Sequence, residues 1–210
     1  MIKLIRSLVG TKPQFDWKIT LLTISSTLLL IINSYFHLTT SIYIDRLILY
    51  LFIPLLIILV VFRESPGRYG FQLGDWRAGL TISAIGMLLI APIIYITVKL
   101  DPSMQDYFGG MQSGNILWIT FLDLFGWEFL FRGYLLFGYE KELGSHSLWL
   151  QAVPFALAHI GKPAIETLST IFGGFAFGWV AWRTRSFLYP FLIHMFVTNF
   201  TILVASGAIK

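Results

Sequence analysis

The chain has 210 residues, of which 56% are hydrophobic and 12% are charged. Soluble domains carry about 25% charged residues, so this composition excludes an ordinary soluble protein and indicates a single membrane domain over residues 1–210. The formal net charge of +4 fits basic loops facing anionic lipid and does not indicate nucleic-acid binding. The absence of cysteine excludes disulfides, thiolate catalysis and cysteine-ligated metals.

Apolar stretches of about 20 residues are long enough to cross the hydrocarbon core as helices. The sequence therefore predicts an all-α, polytopic transmembrane helix bundle with about seven spans. The predicted spans are 17–36, 43–62, 78–98, 115–137, 147–161, 166–183 and 186–206. The first follows a basic tail without a small-residue cleavage site, which favours a retained span over a removed signal peptide. The fifth is short and contains Pro154, which predicts a kinked or partial span.

Basic residues are unevenly divided between the two sides of this predicted bundle. One side carries Lys3, Arg6, Lys12, Lys18, Arg63, Arg68, Arg77, Lys141, Arg183 and Arg185. The other side carries only Arg46, Lys99, Lys162 and Lys210. Because cytoplasmic loops are enriched in lysine and arginine, this pattern predicts a cytoplasmic N-terminus and an external C-terminus.

Gly174 and Gly178 form a GxxxG pair in the predicted sixth span. Small residues at this spacing are typical of close helix packing in membranes. We therefore interpret the pair as a packing feature.

The predicted fourth span contains two charged residues, Glu128 and Arg132, within an apolar run. A charge at the centre of a bilayer costs about 2.5–3.5 kcal/mol on insertion scales, so such residues are usually paired or functional. The two are four residues apart, share one helix face and can pair. The pair either orients neighbouring helices or holds a carboxylate ready for proton transfer.

His159 and His194 lie in similarly apolar stretches, and each alone is more often a satisfied polar group than a catalytic one. A rise of ~1.5 Å per residue places Glu128 ~14 Å, His159 ~18 Å and His194 ~12 Å from the cytoplasmic ends of their spans. Three costly side chains from three helices thus fall in one layer of the membrane. This convergence favours a functional site.

Such a layer supports hydrolysis. A carboxylate beside a neutral imidazole deprotonates water at the operating pH. A second imidazole with a hydroxyl or amide group stabilises the developing oxyanion. Thr198, four residues after His194, shares its face, whereas Asn199 lies about 140° round the helix, so Thr198 is the better-placed partner unless the helix bulges.

The same residues could instead bind zinc, because two histidines and a glutamate provide three ligands and leave one coordination position open. The sequence has no HExxH motif, and the ligands would come from three separate helices. We predict catalysis without a cofactor and keep a zinc-dependent peptidase as the minority alternative.

Three motifs resemble a known family when taken together in order. The run Glu128-Phe-Leu-Phe-Arg132-Gly, then Phe155-xxx-His159, then His194, is similar to the CPBP family of CAAX-protease and bacteriocin-processing intramembrane proteases, also called the Abi or self-immunity family. The resemblance extends from about Trp76 to Thr201. It implies that Glu128 and His159 activate water, that His194 and an asparagine stabilise the oxyanion, and that Arg132 is the arginine closing the first motif.

Two positions depart from the family pattern. The first motif usually opens with two adjacent glutamates, of which the first is regarded as catalytic, and here that position is Trp127. The family asparagine lies four residues after the last histidine, where this chain has Thr198, with Asn199 one residue further on. Glu128 is about 100° round the helix from Trp127, so it does not replace the missing carboxylate without helix rotation or repacking.

The leading prediction is an intramembrane glutamic-type peptidase that cuts a membrane-associated peptide or protein, in a bacterial inner membrane. The alternative is a non-catalytic relative acting as a membrane immunity or scaffolding protein, which the loss of the first glutamate favours. A transporter or channel ranks last because the polar residues cluster at one depth.

Four further polar residues have simpler interpretations. Asp123 is either a second carboxylate of the site or a group paired elsewhere, and we favour the second interpretation. Glu166 lies in the first turn of a predicted helix, where a carboxylate suits the helix dipole, and a role beside His159 is the less favoured reading. His37 and His146 fall in predicted loops and are expected to be solvated.

Overall fold

The structure, a computed structural model, describes residues 10, 13–111 and 114–209. Within these ranges the regular elements are all helical, which confirms the predicted all-α class. Four of the basic residues used to predict the orientation lie outside the described residues, namely Lys3, Arg6, Lys12 and Lys210.

Nine α-helices can be followed in the described part of the chain. They are α1 (Trp17–Tyr35), α2 (Ile42–Phe62), α3 (Trp76–Leu100), α4 (Pro102–Gly109), α5 (Ile116–Glu128), α6 (Leu136–Leu143), α7 (Ser147–Leu157), α8 (Ala164–Thr184) and α9 (Leu188–Ala205). Helix α2 contains two π-helical segments, Ile48–Phe52 and Ile57–Phe62. A third π-helical segment, Phe129–Leu135, joins α5 to α6 without a break.

Five helices of the described chain, α1, α2, α3, α8 and α9, are long and apolar enough to cross a membrane. This establishes an integral multi-pass architecture. The unbroken helix through α5 and α6 carries Asp123, Glu128 and Arg132 in its apolar part, and α7 has only 11 residues. Seven spans and a cytoplasmic N-terminus therefore stay predictions.

Aspartate side chains define where several of the helices begin. Asp16 accepts hydrogen bonds from the backbone N–H groups of Lys18 and Ile19 at the start of α1. Asp75 caps α3 and Asp101 caps α4 in the same way. Such carboxylates satisfy N–H groups that have no partner within the helix and also suit its dipole.

The centre of the bundle is the helix that carries Glu128 and Arg132. Every residue from 126 to 139 is buried. A helix at a protein surface buries one stripe only, so this segment is surrounded on all sides. It packs against α1, α2, α7, α8 and α9, and thereby brings Glu128 to the middle of the fold.

The two glycines of the GxxxG pair lie where α8 packs against α7, as predicted. A Cβ atom at Gly174 would lie 3.0 Å from the Cβ of Ala152, and one at Gly178 would lie 2.5 Å from Nε2 of Gln151. Gln151 is fully buried and donates to the carbonyl oxygens of Leu148 and Gly174 at 2.8 and 2.7 Å. Its amide group therefore cannot move away from an added Cβ at Gly178 without losing these buried hydrogen bonds.

We expect Gly178→Ala to lower the free energy of unfolding by about 1–3 kcal/mol, because the added methyl group overpacks this contact. Gly173→Ala is the matched control, since a Cβ at Gly173 meets no atom within 4 Å. Thermal unfolding of both purified variants in detergent checks the expectation. Equal melting temperatures for the two variants would show that the α7–α8 contact is not tight.

Candidate active site

Glu128, the last residue of α5, connects two parts of the bundle through one carboxylate oxygen. Its side chain is fully buried. Oε1 accepts a hydrogen bond from Nη1 of Arg132 at 3.1 Å and lies 2.6 Å from Nδ1 of His194 in α9. Because an ionised carboxylate only accepts hydrogen bonds, we assign the proton of the neutral imidazole to Nδ1, which leaves Nε2 of His194 as an acceptor.

Arg132 lies in the π-helical segment and is also fully buried. The central carbon of its guanidinium group is 3.9 Å from the ring centroid of Phe155 and 5.2 Å from that of Phe177. Nε and Nη2 have no hydrogen-bond partner among the described residues. The positive charge is therefore balanced by Glu128 and by the faces of aromatic rings, which attract cations.

His159 follows the end of α7 and is held by the backbone on both sides. Its Nδ1 lies 2.8 Å from the carbonyl oxygen of Phe155, so Nδ1 donates and Nε2 is again the free acceptor. Its own carbonyl oxygen accepts from Oγ1 of Thr167 at 2.8 Å. The ring packs against that of Phe155, with centroids 4.6 Å apart.

The two histidines line one cavity of about 560 Å³. Helices α3, α4, α7, α8 and α9 contribute to its walls, and most of the lining side chains are apolar. Ile93 and Ile165 belong to the lining and are exposed at the outside of α3 and α8, so the cavity reaches the lateral surface of the bundle. The lining includes His194 but not Glu128, which lies behind it.

Residues 110–200 match the family described as type II CAAX prenyl endopeptidase Rce1-like. This stretch of the chain is Rce1-like. The match covers Glu128, His159 and His194 and confirms the family resemblance predicted from the sequence. No curated protein and no solved structure matches the chain.

The Rce1-like region has Trp127 beside His159, at the position where the family pattern has its first glutamate. The two rings meet edge-on with centroids 5.8 Å apart. Tyr50 packs against the indole at 5.6 Å, and the guanidinium carbon of Arg46 lies 5.4 Å from it. The tryptophan is only 8% exposed and fills the space on one side of the His159 ring.

Two residues near the end of the Rce1-like region are candidates for oxyanion binding, and the structure separates them. Thr198 lines the cavity together with His194. Asn199 instead donates from Nδ2 to Oγ1 of Thr120 at 3.0 Å and to the carbonyl oxygen of Met195 at 2.8 Å. Because α9 is a regular α-helix over this stretch, no bulge turns Asn199 toward the cavity.

The hydrogen bonds of the described residues join Glu128 to His194 and to Arg132, and none joins it to His159. Of the predicted trio, His159 and His194 thus line one cavity, and Glu128 contacts the last-span histidine from outside the cavity lining. This pairing depends on how α9 packs against α5, which spacing along the chain does not reveal.

The other polar residues singled out from the sequence have defined partners. Asp123 forms an ion pair with Arg46 at 2.5 Å, in line with the interpretation that it is paired elsewhere. Glu166 lines the cavity and accepts from Nζ of Lys162 at 2.8 Å. His37 and His146 are exposed, as expected.

Two parts of the site escaped sequence analysis. One is the pair of aromatic rings that contacts Arg132. Phe155 belongs to the Phe155-xxx-His159 motif, which could have indicated it, whereas no feature of the sequence indicates Phe177. The other is the contribution of α3 to the cavity wall, because its lining residues are ordinary apolar span residues. Among the described residues, no group of three or more His, Asp or Glu side chains is arranged to hold a metal ion.

Proposed function

We propose that this protein is a CAAX-type intramembrane peptidase that hydrolyses a peptide bond in a membrane-associated peptide or protein without a bound metal. The observation that carries the proposal is the placement of His159 and His194 on one lateral, mostly apolar cavity, with the buried Glu128 hydrogen-bonded to one of them. The Rce1-like match over residues 110–200 supports the same reaction class.

The shape of the cavity suits a substrate segment that arrives from the bilayer. Sites that bind elongated apolar ligands are concave and apolar, with a few placed polar groups that fix orientation. Here Ile82, Ile90 and Ile94 of α3 line the same cavity as the two histidines. An extended peptide lying along α3 would present its backbone carbonyls to the polar wall.

The polar wall supplies what hydrolysis requires. Two imidazoles with free Nε2 atoms are able to hold one water molecule by accepting its hydrogens, and an imidazole that takes a proton from it as a general base contributes about 10²–10⁴-fold in rate. The hydroxyl group of Thr198, which lines the same cavity, is the proposed donor to the oxyanion, in preference to Asn199. Arg132 pairs with Glu128 and holds the carboxylate in place beside His194.

Cleavage of a fluorogenic peptide ending in a CAAX sequence, with and without a prenyl group, tests the proposal. We expect the purified protein in detergent to cleave one of these substrates and Glu128→Ala and His159→Ala to lose about 10²-fold or more in rate. His146→Ala, a change at an exposed position between α6 and α7, is the control and should keep full activity.

A chelator added to the same assay separates the zinc alternative. We expect no effect on the rate, whereas loss of cleavage that returns with added zinc would favour a zinc-dependent peptidase. Unchanged cleavage in Glu128→Ala and His159→Ala would refute the assignment of the site.

A non-catalytic relative acting in immunity or scaffolding is the second candidate, and one observation favours it. Trp127 occupies the space beside His159 where the family pattern has a glutamate. Absence of cleavage by the unmodified protein, on both prenylated and unprenylated substrates, would support this candidate.

A further inference from the structure

We propose that His194 is the general base that takes the proton from the attacking water, and that Glu128 is a positioning residue acting through it. This inference rests on the proposed peptidase function and assigns the roles within it. It differs from the family pattern, in which a glutamate and the histidine at the position of His159 activate the water. The assignment comes from which side chains reach the cavity.

The carboxylate of Glu128 is buried and does not line the cavity. Oε1 is shared between His194 and Arg132, and the side chain has no exposed surface. Oε2 is buried and has no partner among the described residues. His194 lies between this carboxylate and the cavity that it lines. A water molecule in the cavity therefore meets the imidazole, not the carboxylate.

The hydrogen bond to Glu128 fixes the tautomer that a base needs. Nδ1–H of His194 donates to the carboxylate at 2.6 Å, so Nε2 carries the free electron pair. When Nε2 gains a proton, the new positive charge lies directly beside a carboxylate in a low-dielectric interior, where such a pair is strongly favoured. A carboxylate that orients and supports a histidine base in this way is a recurring catalytic arrangement.

The reaction then balances without any further group. Water oxygen attacks the carbonyl carbon of the substrate while Nε2 of His194 takes one water proton, and the carbonyl electron pair moves to the oxygen. Thr198 donates a hydrogen bond to this oxyanion. As the oxyanion collapses, the C–N bond breaks and the imidazolium returns its proton to the departing nitrogen, which gives an acid and an amine.

His159 has different hydrogen-bond partners from His194, and these suit it to bind the water molecule and not to take its proton. Its Nδ1–H donates to a neutral backbone carbonyl, that of Phe155, and none of its described hydrogen bonds involves a carboxylate. The edge of the Trp127 indole covers one side of the ring. His159 therefore lacks a countercharge for an imidazolium and acts as a neutral acceptor that holds the second hydrogen of the water.

A double-mutant cycle on kcat tests the assignment. We expect Glu128→Gln to lower kcat by about 10²-fold with little change in KM, and His194→Ala to lower it further. Because Glu128 acts through His194, the double variant should be no slower than His194→Ala alone. A double variant slower than His194→Ala by about tenfold or more would show that Glu128 acts on the water directly and would overturn the proposal.

Added imidazole gives a second measurement that does not depend on the folding of Glu128 variants. We expect it to restore cleavage in His194→Ala by about tenfold or more and to leave His159→Ala unchanged, since only the base is replaced by a free imidazole. Rescue of His159→Ala in place of His194→Ala would overturn the assignment of the base. Absence of cleavage by the unmodified protein is a separate outcome and refutes the proposed function itself.

Discussion

Replacing Arg132 with methionine is expected to destabilise the protein by about 3–5 kcal/mol, the usual cost of removing one partner of a buried ion pair. Arg132 and Glu128 are both fully buried, and their hydrogen bond of 3.1 Å lies at the centre of the bundle. Without the guanidinium group, the carboxylate keeps only His194 as a partner. Thermal unfolding in detergent measures the loss.

A double variant shows whether the lost stability comes from an unpaired charge or from the smaller volume of the side chain. Removing both charges in Glu128→Leu with Arg132→Met should recover much of the lost stability, because no uncompensated charge remains. Arg183→Met is the control, since its ion pair with Asp75 is half exposed and such pairs contribute about 0.2–1 kcal/mol. If Arg132→Met melted at the same temperature as this control, the buried pair would not stabilise the bundle.

Replacing Trp127 with glutamate is expected to open a second route to catalysis. The new carboxylate would lie beside His159, where the family pattern has its first glutamate, and near Arg46, whose Nε has no partner among the described residues. Loss of the indole should cost about 3–5 kcal/mol in stability. In a Glu128→Gln background, however, the added Trp127→Glu change should raise the cleavage rate at least about tenfold.

Trp127→Gln is the matched control for this gain. Glutamine opens the same space and reaches the same atoms but carries no charge, so it should lose stability without restoring cleavage. Comparing kcat for the two variants in the Glu128→Gln background isolates the carboxylate. Equal rates would mean that the space beside His159 is not where water is activated.

The apolar spans were predictable from the sequence because their length and composition alone specify membrane helices. The predicted spans 17–36 and 43–62 agree with Trp17–Tyr35 and Ile42–Phe62 to within a residue at each end. Prediction was weaker where the helix carries charges or is short. The π-helical segments were missed, because a change from i→i−4 to i→i−5 hydrogen bonding leaves no signal in hydropathy.

Depth estimates placed the three candidate residues in one layer but did not assign their hydrogen-bond partners. Glu128, His159 and His194 were grouped by distance along their helices, which fixes height in the membrane and not rotation about the helix axis. The contact between Glu128 and His194 depends on the packing of α5 against α9. That Thr198 faces the same cavity as His194 was accessible from the sequence because both residues lie on one helix.

The burial of every residue from 126 to 139 has a mechanical consequence for the cavity. The part of the cavity wall behind His194 packs against a helix that other helices surround on all sides, so we expect this part of the wall to be rigid. Helix α3, which also lines the cavity, has solvent- or lipid-exposed residues such as Leu88 and Leu89 along its outer face and contains Pro92 between the cavity-lining Ile90 and Ile93. Proline removes a backbone hydrogen bond and is the usual place for a helix to bend. We therefore expect the cavity to widen most readily by bending of α3 at Pro92, while Glu128 and Arg132 keep their positions.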